Sequence, residues 1–428
     1  MPNLHDTKTV KRVSRAILGA TTVAGMACSA AASTLVPLAT TTSFNYGVIS
    51  YTDIADTFSG SPNAQLGLPA INNAGQIAFS AMTRSNIQHV YITPTSGSTL
   101  INVADSAHGF TNVGGRLDLN NGGTVVFQGT SATGANASQP GIFTSSGGAI
   151  SLVVDSTTSA QPYFNGGAPR ISDGGSTVFL GRGVGYPGQQ IVVQKNGMYT
   201  AVASHNSGLF ENFNDAALNN SGQVGFITDD YSTGNNNGAF AYRVNPGAAP
   251  VKISRVVTAT SVGINDAGVM TFEAAAALGN GFASTGLVTS DGVKTTFIAQ
   301  AGRFMPGTNI LVDGFGISKS INRTGMVAML AGDNAGLNTG IYVGDGVNTQ
   351  TIVRREQSMF GKTVLDFNLS NDALNDSGQV TFNVRFTDNT YAEVRTSAVS
   401  MVPEPGTAFM MSLGGLAFVA MRRRRSVA

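Results

Sequence analysis

One nine-residue pattern recurs seven times along this chain and restricts it to a repeat architecture. The pattern is an aliphatic residue, Asn, two variable residues, Gly, one variable residue, an aliphatic residue, one variable residue and Phe. It reads Ile71-Asn-Asn-Ala-Gly-Gln-Ile-Ala-Phe79, Leu119-Asn-Asn-Gly-Gly-Thr-Val-Val-Phe127 and, in degenerate form, Ile171-Ser-Asp-Gly-Gly-Ser-Thr-Val-Phe179. Four more copies are Leu218-Asn-Asn-Ser-Gly-Gln-Val-Gly-Phe226, Ile264-Asn-Asp-Ala-Gly-Val-Met-Thr-Phe272, Ile321-Asn-Arg-Thr-Gly-Met-Val-Ala-Met329 and Leu374-Asn-Asp-Ser-Gly-Gln-Val-Thr-Phe382. Their starts are separated by 48, 52, 47, 46, 57 and 53 residues.

The unit reads as strand, turn, strand. Asn72, Asn120, Asn219, Asn265, Asn322 and Asn375 can cap a turn with their side chains. Gly75, Gly123, Gly175, Gly222, Gly268, Gly325 and Gly378 supply the positive φ that a short hairpin loop requires. After the turn the aliphatic residue and Phe stand two apart, so both project from one face of a strand. The same Asn and Asp residues could be read as calcium ligands, but no extended aspartate ladder accompanies them. Turn chemistry is the better account.

Further β-prone runs fill each interval, among them 89–93, 141–144, 190–194, 239–243, 286–289, 340–343 and 391–394, and most are followed by another, such as 100–103 or 351–353. Four strands in about 50 residues is the size of a β-propeller blade. A parallel β-helix repeats over a shorter interval, and tandem sandwiches need more residues per unit. Small or polar residues before the turn, as in Asp215-Ala-Ala-Leu218, suit an innermost strand crowded around an axis. The expected fold is all-β, a seven-bladed propeller of four-stranded antiparallel blades over residues 43–400. An outer strand within 48–56 would pair into the last blade and close the ring, removing exposed edges.

Composition agrees with this picture. Charged residues make up 11%, Gly numbers 53 and Trp is absent, while 42% hydrophobic residues can support a core. The chain holds 25 basic and 24 acidic residues, of which eight and two lie in residues 1–32 and 403–428. The body is left with 17 and 22, a net of −5, and offers no basic patch for nucleic acid. The single cysteine, Cys28, lies outside the repeats, so disulfides, zinc–thiolate sites and cysteine nucleophiles are excluded from the body.

Both ends read as targeting segments. A basic run from Lys8 to Arg15, an apolar stretch to Ala27 and Ala30-Ala31-Ala32 follow the layout of a helical secretory signal over residues 1–32. Residues 33–42 read as a linker. At the other end Pro403-Glu404-Pro405 precedes an apolar run over 407–421 and then Arg422, Arg423, Arg424 and Arg425. Fifteen helical residues rise about 22 Å, short of the ~30 Å hydrocarbon core. The arginines would hold that end on the cytoplasmic side. These three parts, over 401–428, resemble the PEP-CTERM sorting signal. That resemblance implies recognition by an exosortase, cleavage near the motif, and transfer to the cell surface or extracellular matrix, after export by way of signal peptidase. Before processing, the short hydrophobic tail would be the chain's contact with the membrane.

The body carries no H-E-x-x-H, G-x-S-x-G or P-loop pattern. His89, His108 and His205 are too far apart in sequence for a local metal or triad motif, and Asp56, Asp105, Asp155, Asp229 and Asp230 read as solvated turn residues by default. No catalytic, cofactor or metal residue is assigned. The expected function is a non-enzymatic surface or matrix protein presenting a propeller for adhesion or for binding polysaccharide or protein. A secreted carbohydrate-active hydrolase or lyase with its site at the propeller channel is the alternative. It would be favoured by carboxylates, a His or Tyr, and an Arg gathered at one mouth. A surface-coat spacer is the third reading.

Overall fold

The computed structural model describes residues 35–37, 39–41, 44–46 and 66–399, less the short stretches 83–87, 95–99, 133–137, 157–162, 165–166, 183–187, 232–237, 258–260, 278–282 and 333–339. The N-terminal signal, Cys28, the strand expected within 48–56 and the sorting tail with residues 403–405 and 422–425 lie outside the described residues.

Each copy of the pattern builds one antiparallel sheet, giving seven blades. The residues before the turn form the inner strand: Ala70–Ile71, Phe110–Leu119, Arg170–Ile171, Phe210–Leu218, Gly263–Ile264 and Gly314–Ile321 in blades 1 to 6. The residues after it form the second strand: Ile77–Met82, Val125–Ser131, Thr177–Arg182, Val224–Asp230, Met270–Ala277 and Val327–Gly332. Blade 7 runs Lys362–Asn368, Thr381–Phe386, Tyr391–Thr396, and its motif is joined by a bridge between Leu374 and Val380. Blade 3 carries one additional short strand, Tyr163–Phe164.

The fourth strand of blade 7 comes from the other end of the repeat region. Leu35–Pro37 lies antiparallel to Tyr391–Thr396, with Leu35 opposite Thr396 and Pro37 opposite Val394. Part of the stretch read as a linker is therefore the closing strand, upstream of the 48–56 segment to which the sequence reading gave that task. Three residues bounded by Pro37 carry no alternation pattern from which a strand could be read.

The periodic Phe positions are the core. Phe79, Phe127, Phe179, Phe226, Phe272, Met329 and Phe382 are all buried, as are the aliphatic residues two positions earlier, with Thr177 replacing the aliphatic residue in blade 3. Buried side chains gather in seven clusters, one at each seam between neighbouring blades. The cluster between blades 7 and 1 is the smallest, five buried residues, with Tyr391 packed on Ile71, Ile77, Phe79 and Ala81. In each of blades 1 to 6 the pairing of third and fourth strands shifts register once, for example between Val90 and Tyr91 and between Ile341 and Tyr342. Such a bulge increases local twist, which lets the outer strand splay from the axis.

Candidate functional site: the ringed mouth of the channel

All seven motif turns meet at one end of the central axis. Their glycines have φ between 74° and 86°, the left-handed region that only Gly enters without strain. Within each turn the capping side chain accepts the backbone N–H four residues on. Asn72 takes that of Gln76 at 2.9 Å, Asn120 that of Thr124 at 2.8 Å, and Asn375 that of Gln379 at 2.9 Å. Asn219, Asn265 and Asn322 do the same, and in blade 3 Ser172 Oγ accepts from Ser176 at 3.1 Å. With their oxygens turned inward to the backbone, these residues cap their own turns.

The remaining amide protons tie the blades together. Asn72 Nδ2 donates to the Asn120 carbonyl, and Asn120 Nδ2 to that of Ser172, both at 3.1 Å. Asn219 donates to Asn265, Asn265 to Asn322, Asn322 to Asn375, and Asn375 back to Asn72. Six of seven links of this buried inner ring are made. The missing one follows Ser172, whose hydroxyl is too short to reach the next blade.

The next residue of each motif builds a second, outer ring, which sequence reasoning missed by treating that position as variable. Asn73, Asn121, Asp173, Asn220, Asp266, Arg323 and Asp376 occupy it. In every one of them but Arg323 a side-chain oxygen accepts the backbone N–H of the preceding ring residue. The pairs are Asn73 N to Asn121 Oδ1 (2.7 Å), Asn121 N to Asp173 Oδ1 (2.8 Å), Asp173 N to Asn220 Oδ1 (2.7 Å) and Asn220 N to Asp266 Oδ1 (2.9 Å). The set continues with Arg323 N to Asp376 Oδ1 (2.7 Å) and Asp376 N to Asn73 Oδ1 (2.8 Å). The signal was available, since six of the seven residues are Asn or Asp.

Beneath the rings a bowl of about 150 Å³ takes lining residues from all seven blades. Two contacts cross its floor. Arg170 Nη1 of blade 3 lies 3.1 Å from Asp372 Oδ2 of blade 7, and Asn371 Nδ2 of blade 7 donates to Asp215 Oδ2 of blade 4 at 3.1 Å. Asp118 accepts the N–H groups of Leu119 and Ile171, and Asp215 also accepts that of Val262. Burial pushes Asp118 and Asp215 above the usual carboxylate range, with Arg170 opposing. Asp372 is pushed up to about 8 by burial, against the pull of Arg170 and with the repulsion of Asp118 and Asp215 added. Burial disfavours the Arg170 charge, but Asp372, Asp215 and Asp118 outweigh it and raise its pKa.

The residues weighed from sequence lie elsewhere. His89 and His108 do converge, on one carboxylate: their Nδ1 atoms lie 3.2 Å and 2.7 Å from Asp105 Oδ2 and Oδ1. Burial pushes the Asp105 carboxyl up, but hydrogen bonds from Asn102 and His108 overcome this and hold it below its ordinary range. His205 lies 4.0 Å from Glu211. Asp229 accepts from Asn212 at 2.8 Å, and Asp230 pairs with Lys252. Asp105, Asp155, Asp229 and Asp230 do not line the bowl, and Asp56 lies outside the described residues. The bowl thus gathers Asp118, Asp173, Asp266, Asp372 and Asp376 with Arg170 and Arg323, and Asp215 adjoins it through Asn371, while the described histidines sit apart from it.

A sequence profile described as a family of unknown function (DUF7453) matches residues 31–248 and 243–372, and the PEP-CTERM protein-sorting motif matches 402–425. That motif implies export, exosortase processing and a surface or extracellular destination. No curated protein matches the chain. Among solved structures it is similar to the β-propeller domain of the Trilobed protease from Pyrococcus furiosus, at 13% identity over 69% of this chain and 86% of that one, TM-score 0.45. It is also similar to TolB from Acinetobacter baumannii (11% identity, 79% and 65% covered, TM-score 0.37). A third is oligogalacturonate lyase from Vibrio parahaemolyticus (10% identity, 79% and 92% covered, TM-score 0.48). Among the described residues no helix is long and apolar enough to cross a membrane.

Proposed function

This chain belongs to the family of unknown function DUF7453, and we propose that it is a surface or matrix protein that binds polysaccharide at the ringed mouth of its propeller without transforming it. The observation that carries this reading is the bowl: amide and carboxylate groups from six blades and Arg323 from the seventh line it over a floor locked by the Arg170–Asp372 and Asn371–Asp215 contacts. Directed amide and carboxylate groups are the partners that sugar hydroxyls require. Asp118 and Asp215 are already held by backbone donors, so they shape the floor rather than wait for a reacting proton. Export would be led by residues 1–32, with the exosortase cleaving near residues 403–405 and transferring the repeat domain, the working part, to the cell surface or matrix.

A secreted hydrolase or lyase is the second reading, and one group favours it. With its pKa near 8, Asp372 keeps a proton at neutral pH and has the protonation state of a general acid. Calorimetric titration with soluble polysaccharides, followed by an assay for new reducing or unsaturated ends, separates the two. Binding with no new ends supports the binding protein. Product release that disappears in Asp372→Ala overturns it. Deleting residues 403–428 tests the destination: export should persist while surface retention is lost, and unaltered attachment would refute the sorting role.

A further inference from the structure

We propose that the open position of the outer ring, between blades 5 and 6, is the place where a neutral sugar unit docks, its hydroxyl oxygen standing where a side-chain oxygen stands in the other six positions. This rests on the polysaccharide reading above and names the group recognised.

The symmetry of the outer ring is broken at one place. At six positions of the ring the backbone N–H is taken by the neighbouring blade's Asn or Asp. At blade 5 the neighbour is Arg323, which has no acceptor to offer. Among the described residues the Asp266 N–H has no hydrogen-bond partner, and neither does the exposed Arg323 guanidinium. The two donors occupy adjacent ring positions, since Asn265 Nδ2 reaches the Asn322 carbonyl at 3.0 Å. Everywhere else on the ring the polar groups are engaged with each other. The Asp266 carboxylate, for instance, takes both the N–H and the Nδ2 of Asn220. The gap therefore needs an oxygen from outside.

Charge selects which oxygen. The ring holds Asp173, Asp266 and Asp376 against Arg323, while on the inner strands beneath Asp118 and Asp215 stand against Arg116 and Arg170, and Asp372 holds its proton. An oxyanion would meet one guanidinium within a surplus of carboxylates, and the body as a whole is acidic. A hydroxyl carries no charge to be repelled. It accepts from Arg323 and Asp266 N–H, and it can donate to a free lone pair of Asp266 or Asp376. In the free protein water fills such a position, and a hydroxyl replaces it without losing the hydrogen bonds.

The test is binding of purified protein to dextran, soluble starch and galactomannan against alginate and polygalacturonate. The expected result is affinity for at least one neutral polymer about tenfold or more above the acidic ones. Arg323→Asn restores the missing acceptor and should lower that affinity about tenfold, one or two hydrogen bonds' worth, without lowering the thermal midpoint. Arg323→Ala, which empties the position without filling it, should fall between the two and covers the case of a misfolded Asn variant. Equal or tighter binding of the acidic polymers, or neutral binding indifferent to both variants, overturns the docking position and leaves the polysaccharide reading standing. Failure of every polymer to bind overturns both.

Discussion

Asn375 Nδ2 donates to the backbone carbonyl of Asn72 at 2.9 Å, joining the last motif to the first across 303 residues of sequence. The same side chain accepts from Gln379 N at 2.9 Å, so one residue both caps its own turn and closes the ring.

Asn375→Ala removes both roles at once. The Gln379 N–H and one lone pair of the Asn72 carbonyl then lose their partners in a region where Asn72 and Asn375 are buried. A buried group left unsatisfied costs about 1–3 kcal/mol. Destabilisation of about 2 kcal/mol is expected, measured by chemical denaturation, with a smaller effect from a surface Asn such as Asn245.

Asn375 also shows how much of this architecture is legible in the sequence. Its spacing to Gly378 gives the turn, and the Val380 and Phe382 positions give the buried face. Seven such copies give the number of blades. The links between blades were harder to read, because each joins residues about 50 apart whose own neighbourhoods look like ordinary turns. The residue after each capping position was polar in every copy, a signal that becomes meaningful only once the turns stand side by side. Asp118 and Arg170 share the position just before the motif, which is Ala, Gly or Ser in the other blades, and Asp372 lies one residue further upstream, so no recurring residue type reveals them. The outer-strand bulges fall on ordinary apolar runs and left no mark.

Ser172 is the one residue of the inner ring that lacks an amide. The six equivalent positions accommodate Asn, so Ser172→Asn should place Nδ2 within reach of the Asn219 carbonyl and complete the ring. A net hydrogen bond contributes about 0.5–1.5 kcal/mol. The variant is expected to unfold at a higher denaturant concentration than the parent with an unchanged slope. A lower midpoint would mean that blade 3 cannot hold the larger side chain.

The closing strand is tested by removing it. Leu35–Pro37 supplies the fourth strand of blade 7, at the seam with the smallest apolar cluster. Deleting residues 35–46 leaves Tyr391–Thr396 as an unpaired edge, which is a template for association with other chains. Loss of hydrogen-exchange protection should be greatest over 391–396, with a lower thermal midpoint and concentration-dependent self-association. Unchanged protection there would assign closure to another segment.

Glu393 makes stability depend on pH at that same seam. It lies buried in the third strand of blade 7, with Oε1 accepting from Thr381 Oγ1 at 3.0 Å and Oε2 without a hydrogen-bond partner among the described residues. Burial pushes its carboxyl well above the ordinary value of 4.5, against the opposing bonds from Thr381 and the Val394 backbone. A folded-state pKa above the unfolded one means that the folded chain holds the proton more tightly. The associated stability is complete below about pH 4.5 and is lost progressively as pH rises through the raised value. Asp372, raised to about 8, has the same sign over the window from about 4 to 8. The thermal midpoint should therefore fall between pH 5 and pH 8. Glu393→Gln keeps an oxygen for Thr381 and cannot ionise, so it should flatten part of that fall and exceed the parent's midpoint at pH 8. Asp372→Asn should flatten the remainder. A parent midpoint that rises from pH 5 to pH 8, or a Gln variant that tracks the parent throughout, would show that Glu393 ionises in the folded protein with water or a cation at its second oxygen.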